Sequence, residues 1–382
     1  MKIITIIGAR PQIIKSAAIS RAVREKYSDE LEEIIVHTGQ HYDENMSAVF
    51  FDELNIPRPH YNLNVGSGSH GAQTAKMLAG IEKILLEEKP DALVVYGDTN
   101  STVAGGLAAS KIYIPVVHIE AGLRSFNKRM PEEQNRILCD HLSTLLFSPT
   151  KQGVENLKRE GFRQDDAIKV DIDHPKVYHC GDIMYDNSLY FSKVSDDKSS
   201  LIQELDLTDK PFILSTVHRN DNTDDPKRLT AIFEALLEIG SKSQTPIVLP
   251  LHPRTKKMMD VNLSVELLGK IKNSAFIKII PPVSFLDVIA LEKNADFVIT
   301  DSGGVQKEAF FFQKPCIILR PETEWIEIVK NGNAICCDAD KNKIHRAFEQ
   351  LYKNQNLTYP NLFGDGKAAE FICQEILNQI RC

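Results

Sequence analysis

Short apolar runs recur along the chain, each closing on glycine, proline or small polar residues before a longer segment with apolar positions three or four apart. That alternation predicts strand, turn and helix in repeated order, and so parallel sheets covered by helices. Residues 2–7 read as a buried strand, Gly8-Ala9-Arg10-Pro11 as its turn and residues 12–26 as a helix, with Pro11 where a missing N–H costs little. Residues 34–36, 92–96, 116–119 and 145–147 continue the strands. Leu78, Ile81 and Leu85 mark one face of a helix ending before Pro90, and further helices start near Pro131 and after Thr150. From Val177 the chain is expected to enter a second series, with strands at 212–216, 247–249, 277–280, 297–300 and 316–319 and a closing helix over 367–380. The expected fold is α/β, two doubly wound Rossmann-like domains with an inter-domain cleft, divided as residues 1–176 and 177–365.

A length of 382 residues agrees with two cores rather than one. Hydrophobic residues at 42% and charged residues at 25% describe a soluble globular chain. No apolar run approaches the ~20 residues of a membrane span, and the first residues enter a strand without a signal-peptide pattern, so a cytoplasmic protein with no membrane insertion is expected. The seven cysteines form no C-x-x-C pair and several sit in apolar runs, which predicts reduced thiols. A net charge of -7 argues against broad nucleic-acid binding while leaving room for a local basic pocket for an anionic small molecule.

Thr300-Asp301-Ser302-Gly303-Gly304, between a buried strand and a helix, is the stretch with the most specific chemistry. Ser302 can cap the helix, the glycines clear the turn, and the first helical N–H groups carry partial positive charge, so the turn suits a phosphate. Glu308, one turn on, could reach the hydroxyls of a ribose. A plain tight connection explains the same residues, and both readings stay open on this stretch alone. Arg10 and Lys15 beside the first turn would suit a diphosphate or be solvated surface charges. Asp98 and Glu120 fall at strand ends, where ligands of parallel sheets gather, and are candidates for proton chemistry, although Asp98 could instead cap a helix. Glu132 and Glu133 fit the first turn of a helix by charge alone. His218 and His252 close two successive strands near arginines.

Several readings fail on spacing. The first turn lacks G-x-G-x-x-G, and Ala72 stands where a P-loop matching Gly66 and Gly71 needs lysine. His37 and His41 straddle a strand end, and Asp171 and Asp173 lie in a charged connection, so no metal site is expected.

Taken together, Gly8-Ala9-Arg10-Pro11-Gln12 with Lys15, Gly97-Asp98-Thr99, His118-Ile119-Glu120-Ala121-Gly122-Leu123-Arg124, Pro131-Glu132-Glu133 with Asn135-Arg136, His218-Arg219, the 300–304 turn with Gln306 and Glu308, and Gly364-Asp365-Gly366 resemble the non-hydrolysing UDP-N-acetylglucosamine 2-epimerases over almost the whole chain. The resemblance implies a fold like glycosyltransferase B enzymes, UDP bound by the second domain, a helix at 366–382 returning to the first domain, a homodimer and no cofactor. It also implies the chemistry: elimination of UDP to a 2-acetamidoglucal, then re-addition with a proton on the other face. By position Asp98, Glu120 and Glu132 match the acids of proton transfer, and Arg10 and His218, with Lys15 close by, the groups around the departing diphosphate. Ser302, Gly303 and Gly304 match the phosphate turn, Glu308 the ribose ligand and His252 a second polar wall.

Gln40-His41-Tyr42-Asp43 departs from the family's usual Gln-His-Arg-Glu, which puts activation by a second substrate molecule in doubt. Gly8-Ala9-Arg10-Pro11-Gln12, with Tyr42 to Ser47, Arg124-Ser125-Phe126-Asn127 and Glu322-Thr323-Glu324-Trp325, looks closer to the subgroup acting on UDP-2,3-diacetamido-2,3-dideoxy-glucuronate, whose carboxylate would need a cation such as Arg124, Lys128 or Arg129. The readings from other classes are a UDP-sugar-dependent glycosyltransferase, the hydrolysing relative and a catalytically silent sugar-nucleotide sensor.

Overall fold

The computed structural model describes residues 1–39, 51, 54, 56–162, 169–352, 354 and 356–380. The stretch 40–47, with His41 and the residues set against the epimerase pattern, lies outside them, as do residues 163–168 and Cys382. Two compact units result, residues 1–187 with 361–382 and residues 188–360.

In the first unit β1 (Lys2–Ile7), β2 (Glu32–His37), β3 (Tyr61–Asn62), β4 (Ala92–Tyr96), β5 (Val116–Ile119), β6 (Leu145–Ser148) and β7 (Lys176–His179) form one sheet in the order β3-β2-β1-β4-β5-β6-β7. The pairings are parallel. β4 and β5 are buried along their whole length, and β4 reads as an unbroken apolar run while His118 interrupts that of β5. The order reverses between β1 and β4, so the carboxyl ends of those strands border the crevice of a doubly wound sheet. Gln12 ties that crevice together: its Oε1 accepts from the Gly8 and Ala9 N–H groups and its Nε2 donates to Tyr96 O and Thr102 Oγ1.

The second unit repeats the arrangement with β8 (Ile213–Thr216), β9 (Ile247–Pro250), β10 (Ile277–Ile280), β11 (Phe297–Thr300), β12 (Cys316–Ile318) and β13 (Ala334–Cys336) in the order β10-β9-β8-β11-β12-β13. Its core gathers Phe233, Leu236, Phe297, Ile299 and Ile317. The reversal here falls between β8 and β11, the strands that precede His218 and Ser302.

One boundary differs from expectation. Val177 does not begin the second unit: residues 176–179 are β7, which pairs with β6 from Leu145↔Lys176 to Ser148↔His179. β7 is an edge strand with one buried residue, so its polar composition reads as a connection. The helix Ala368–Ile380 belongs to the first unit, where Tyr27 Oη donates to Glu370 O (3.1 Å) and Asp186 accepts from the Ala368 and Ala369 N–H groups.

Gly122, just past β5, combines a φ of +78° with a close backbone approach, since an added Cβ would lie 2.4 Å from Gly153 O. Gly122→Ala is expected to lower the unfolding free energy by about 2 kcal/mol or more, from left-handed strain and overpacking together. Urea denaturation checks it, and an unchanged midpoint contradicts it.

Candidate active site

The ends of β4 and β5 deliver Asp98 and Glu120 to neighbouring positions, because Tyr96 and Ile119 are register partners. Gly97 makes the turn before Asp98 at φ +63°, and its N–H donates to Ile119 O (3.0 Å). A side chain there would stand 3.1 Å from Glu120 Oε2 and 3.2 Å from Lys15 Nζ, so glycine leaves the space those two groups use. Glu120 itself sits at φ +76°, a strained setting for a non-glycine residue and one that proteins concentrate at functional sites.

Each acid has its own cation. Lys15, from the helix Arg10–Lys26, pairs with Glu120, and Arg136, from the helix Pro131–His141, pairs with Asp98. Asn135 Nδ2 also donates to Asp98 O (3.0 Å). Burial foremost pushes the Asp98 carboxyl up; Arg136 and Lys15 pull it down and Glu120 and Glu132 add to the rise, for a net raised value. Glu132 is exposed on the first turn of its helix, near enough for its charge to be felt at Asp98. Its neighbour Glu133 is buried and accepts from the Ser125 and Phe126 N–H groups (2.8 and 3.0 Å), so it frames the loop after β5. Arg10 is exposed at the first helical position.

Arg124 does not serve as a cation for a substrate carboxylate. Its side chain is 1% exposed and its guanidinium is engaged by Asp140 (2.7 Å) and by both oxygens of Glu160 (2.7 and 2.6 Å). Lys128 and Arg129 are exposed on the loop that follows.

In the second unit a buried carboxylate organises the other group of residues. Asp301 is fully buried and accepts from the N–H groups of His218 and Arg219 and from Asn222 Nδ2, while His218 Nδ1 lies 3.1 Å from its Oδ1. Burial pushes the Asp301 carboxyl up, but His218, the Arg219 N–H and Asn222 outweigh it and hold it below the usual range. The His218 ring is thereby oriented through Nδ1 at the edge of the Ser302 turn.

Ser302 is the N-cap of the helix Gly303–Phe311, yet its hydroxyl caps no helix N–H, contrary to expectation. Neighbouring groups hold the turn instead: Thr300 Oγ1 accepts from the Ser302 N–H (2.9 Å), and Trp325 Nε1 donates to Gly303 O (2.9 Å). Lys307, almost fully buried, lies 4.1 Å from the Trp325 ring centroid. Glu308 is largely buried, its Oε2 3.7 Å from the position of a Gly304 Cβ. Behind it burial first, and Glu308 second, raise the Glu292 carboxyl well above its ordinary value. His252 is first of all a cap, its Nδ1 accepting from the Arg254 N–H (3.2 Å) at the start of the helix Pro253–Asn262.

The structure thus gathers Lys15, Asp98 and Glu120, with Glu132 near, at one sheet end, and joins His218 to the Ser302 turn at another. The pattern of the chain assigned no role to Arg136, Asp140 or Asn222 and gave Glu133 only a helix-terminal charge; all four act through partners on separate elements. His37 is held at about 4 by burial, and its Nδ1 accepts from the Gly39 N–H. Among the described residues no cluster of three or more His, Cys, Asp or Glu side chains could hold a metal ion, and no helix is long and apolar enough to cross a membrane.

Comparison with known proteins places these motifs in context. The family model described as UDP-N-acetylglucosamine 2-epimerase matches residues 23–377. A Pseudomonas aeruginosa protein named UDP-2,3-diacetamido-2,3-dideoxy-D-glucuronate 2-epimerase is 46% identical over 98% of this chain and 99% of its own. A Methanocaldococcus jannaschii UDP-N-acetylglucosamine 2-epimerase is 44% identical over 97% of this chain and 98% of its own. A crystal structure of the M. jannaschii UDP-GlcNAc 2-epimerase in complex with UDP-GlcNAc and UDP matches with a TM-score of 0.83 and 43% identity, covering 99% of this chain and 100% of the other. The two parallel-sheet α/β domains are those of a glycosyltransferase B-like epimerase. Motifs, fold and relatives agree, and the chain belongs to the UDP-N-acetylglucosamine 2-epimerase family of isomerases.

Proposed function

We propose that the protein inverts carbon 2 of a UDP-N-acetylhexosamine, interconverting UDP-N-acetylglucosamine and UDP-N-acetylmannosamine without a cofactor and without net hydrolysis. A carboxylate takes the proton from carbon 2, the electron pair of that C–H bond forms the carbon 1–carbon 2 double bond, and the carbon 1–oxygen bond breaks with its pair leaving on UDP. In the reverse sense a UDP oxygen attacks carbon 1 of the 2-acetamidoglucal and a second acid delivers a proton to the opposite face of carbon 2. The observation that carries this reading is the pair Asp98 and Glu120 on neighbouring strand ends, each against its own cation. Asp98, with its raised carboxyl, suits the proton-returning role, Glu120 beside Lys15 the abstracting one, and Glu132 a supporting acid.

In the second unit, His218 and the N–H groups of the Ser302-Gly303-Gly304 turn suit the departing diphosphate; in the first, Arg10 and Lys15 are cations suited to an anionic substrate. Glu308 takes the ribose and His252 lines the nucleotide. The complex of a relative with UDP-GlcNAc and UDP supports the nucleotide.

In deuterium oxide, with a UDP-sugar and no acceptor, the product is expected to carry deuterium at carbon 2. Its absence there rules out the elimination route, change only on adding an acceptor selects a glycosyltransferase, and steady accumulation of UDP selects the hydrolysing reaction. A second substrate, UDP-2,3-diacetamido-2,3-dideoxy-glucuronate, is favoured by the 46% identity to the P. aeruginosa protein. With Arg124 engaged, Lys128 or Arg129 would meet its carboxylate, and turnover of the two UDP-sugars side by side decides between them.

A further inference from the structure

His118, within β5, is fully buried, and both of its ring nitrogens face acceptors: Nε2 lies 2.8 Å from Gly97 O and Nδ1 2.7 Å from Asp140 Oδ1. Two acceptors require two N–H donors, so the ring is an imidazolium. Burial opposes that charge, but the Asp140 carboxylate, on the helix Pro131–His141, bonds the ring directly and outweighs it. The other Asp140 oxygen accepts from the Gly122 N–H (3.2 Å) and from Arg124 (2.7 Å), which in turn meets Glu160. Charges alternate from His118 through Asp140 and Arg124 to the exposed Glu160 and sum to zero, which offsets the cost of burying the first three.

The ends of the His118–Asp140 pair reach different turns. Gly97 immediately precedes Asp98, and Gly122 lies just beyond Glu120. We propose that His118 and Asp140 are positioning residues, a clamp that fixes the Asp98 turn to the Glu120 turn through the Gly97 carbonyl and the Gly122 N–H. The inference deepens the epimerase reading and rests on it: a proton removed from one face and returned to the other needs two acids at a fixed offset. Slack between them slows both steps and lets the glycal escape.

The test compares His118→Phe, His118→Gln, His118→Asn and Asp140→Asn in the full-length protein. A glutamine amide nitrogen stands near the position of Nε2 and keeps the donor to Gly97, whereas an asparagine nitrogen stands near Nδ1 and loses it. His118→Phe is expected to lower kcat about 100-fold, the scale of a misplacement near 1 Å, with KM and UDP affinity nearly unchanged. His118→Gln keeps only the Gly97 end of the link and His118→Asn only the Asp140 end, so both should lose kcat, and released glycal plus UDP per epimerised product should rise in all four variants. Full kcat in either the glutamine or the asparagine variant, a rise in KM alone, or a loss matching the unfolded fraction overturns the clamp.

A second readout does not depend on the reaction. In spectra of the unaltered protein labelled with 15N-histidine, the signal missing from His118→Phe should show both ring nitrogens protonated at neutral pH; a neutral tautomer overturns the clamp. Absence of epimerisation by the unaltered protein refutes the functional reading instead, and the spectrum then decides the geometry alone.

Discussion

Glu120→Gln is expected to lower kcat by about 100- to 10,000-fold, the range of a single general acid or base, while UDP affinity stays nearly unchanged. The substitution keeps the side chain's shape and removes its ability to take a proton. It also leaves Lys15 facing a neutral amide, so a modest loss of stability accompanies it. Because the missing interaction belongs to the transition state, kcat and kcat/KM should fall together. A rise in KM with kcat intact would instead make Glu120 a binding residue. Steady-state rates with direct titration of UDP give the answer.

Asp301→Ala is the second large effect expected. It leaves the partly buried His218 and Arg219 N–H groups and the buried Asn222 Nδ2 without their shared acceptor. Stranding such donors should destabilise the second unit by about 3–5 kcal/mol and weaken UDP binding, since the His218 ring loses its anchor. The pH dependence has a definite sign. The Asp301 carboxyl is held below its unfolded value, so its contribution is complete above the ordinary carboxylate range and is lost as pH falls through the lower folded value. The unaltered protein should therefore lose more stability on acidification than Asp301→Ala does. Guanidinium melts of both at neutral and acid pH test this, and parallel acid sensitivity would count against it.

Much of the fold was legible because the central strands are buried on both faces. β4 and β11 read as apolar runs, as does β5 apart from His118, and their ends fall where the chain's pattern places them. β3, β7 and β13 were missed for the opposite reason, being two to four residues long at or near sheet edges and partly exposed. The locations of Asp98, Glu120, His218 and the Ser302 turn followed from strand ends and motif spacing. Their partners did not: Arg136 and Asp140 come from a helix whose pairing with β4 and β5 is visible only after folding. Arg124 shows the limit most clearly. As a letter beside a strand end it reads as a cation free for substrate, and in three dimensions two carboxylates occupy it.

The return of residues 368–380 to the first unit bears on how the molecule is made. Residues 188–360 leave the ribosome ahead of that helix, so the second unit can begin to fold on its own chain while the first still lacks Ile372, Cys373 and Ile376 from its interior. The half that is synthesised first is thus the half that matures last, and a nascent chain stalled ahead of Ala368 would present an unsealed groove along the helix Arg10–Lys26, a natural target for a holding chaperone.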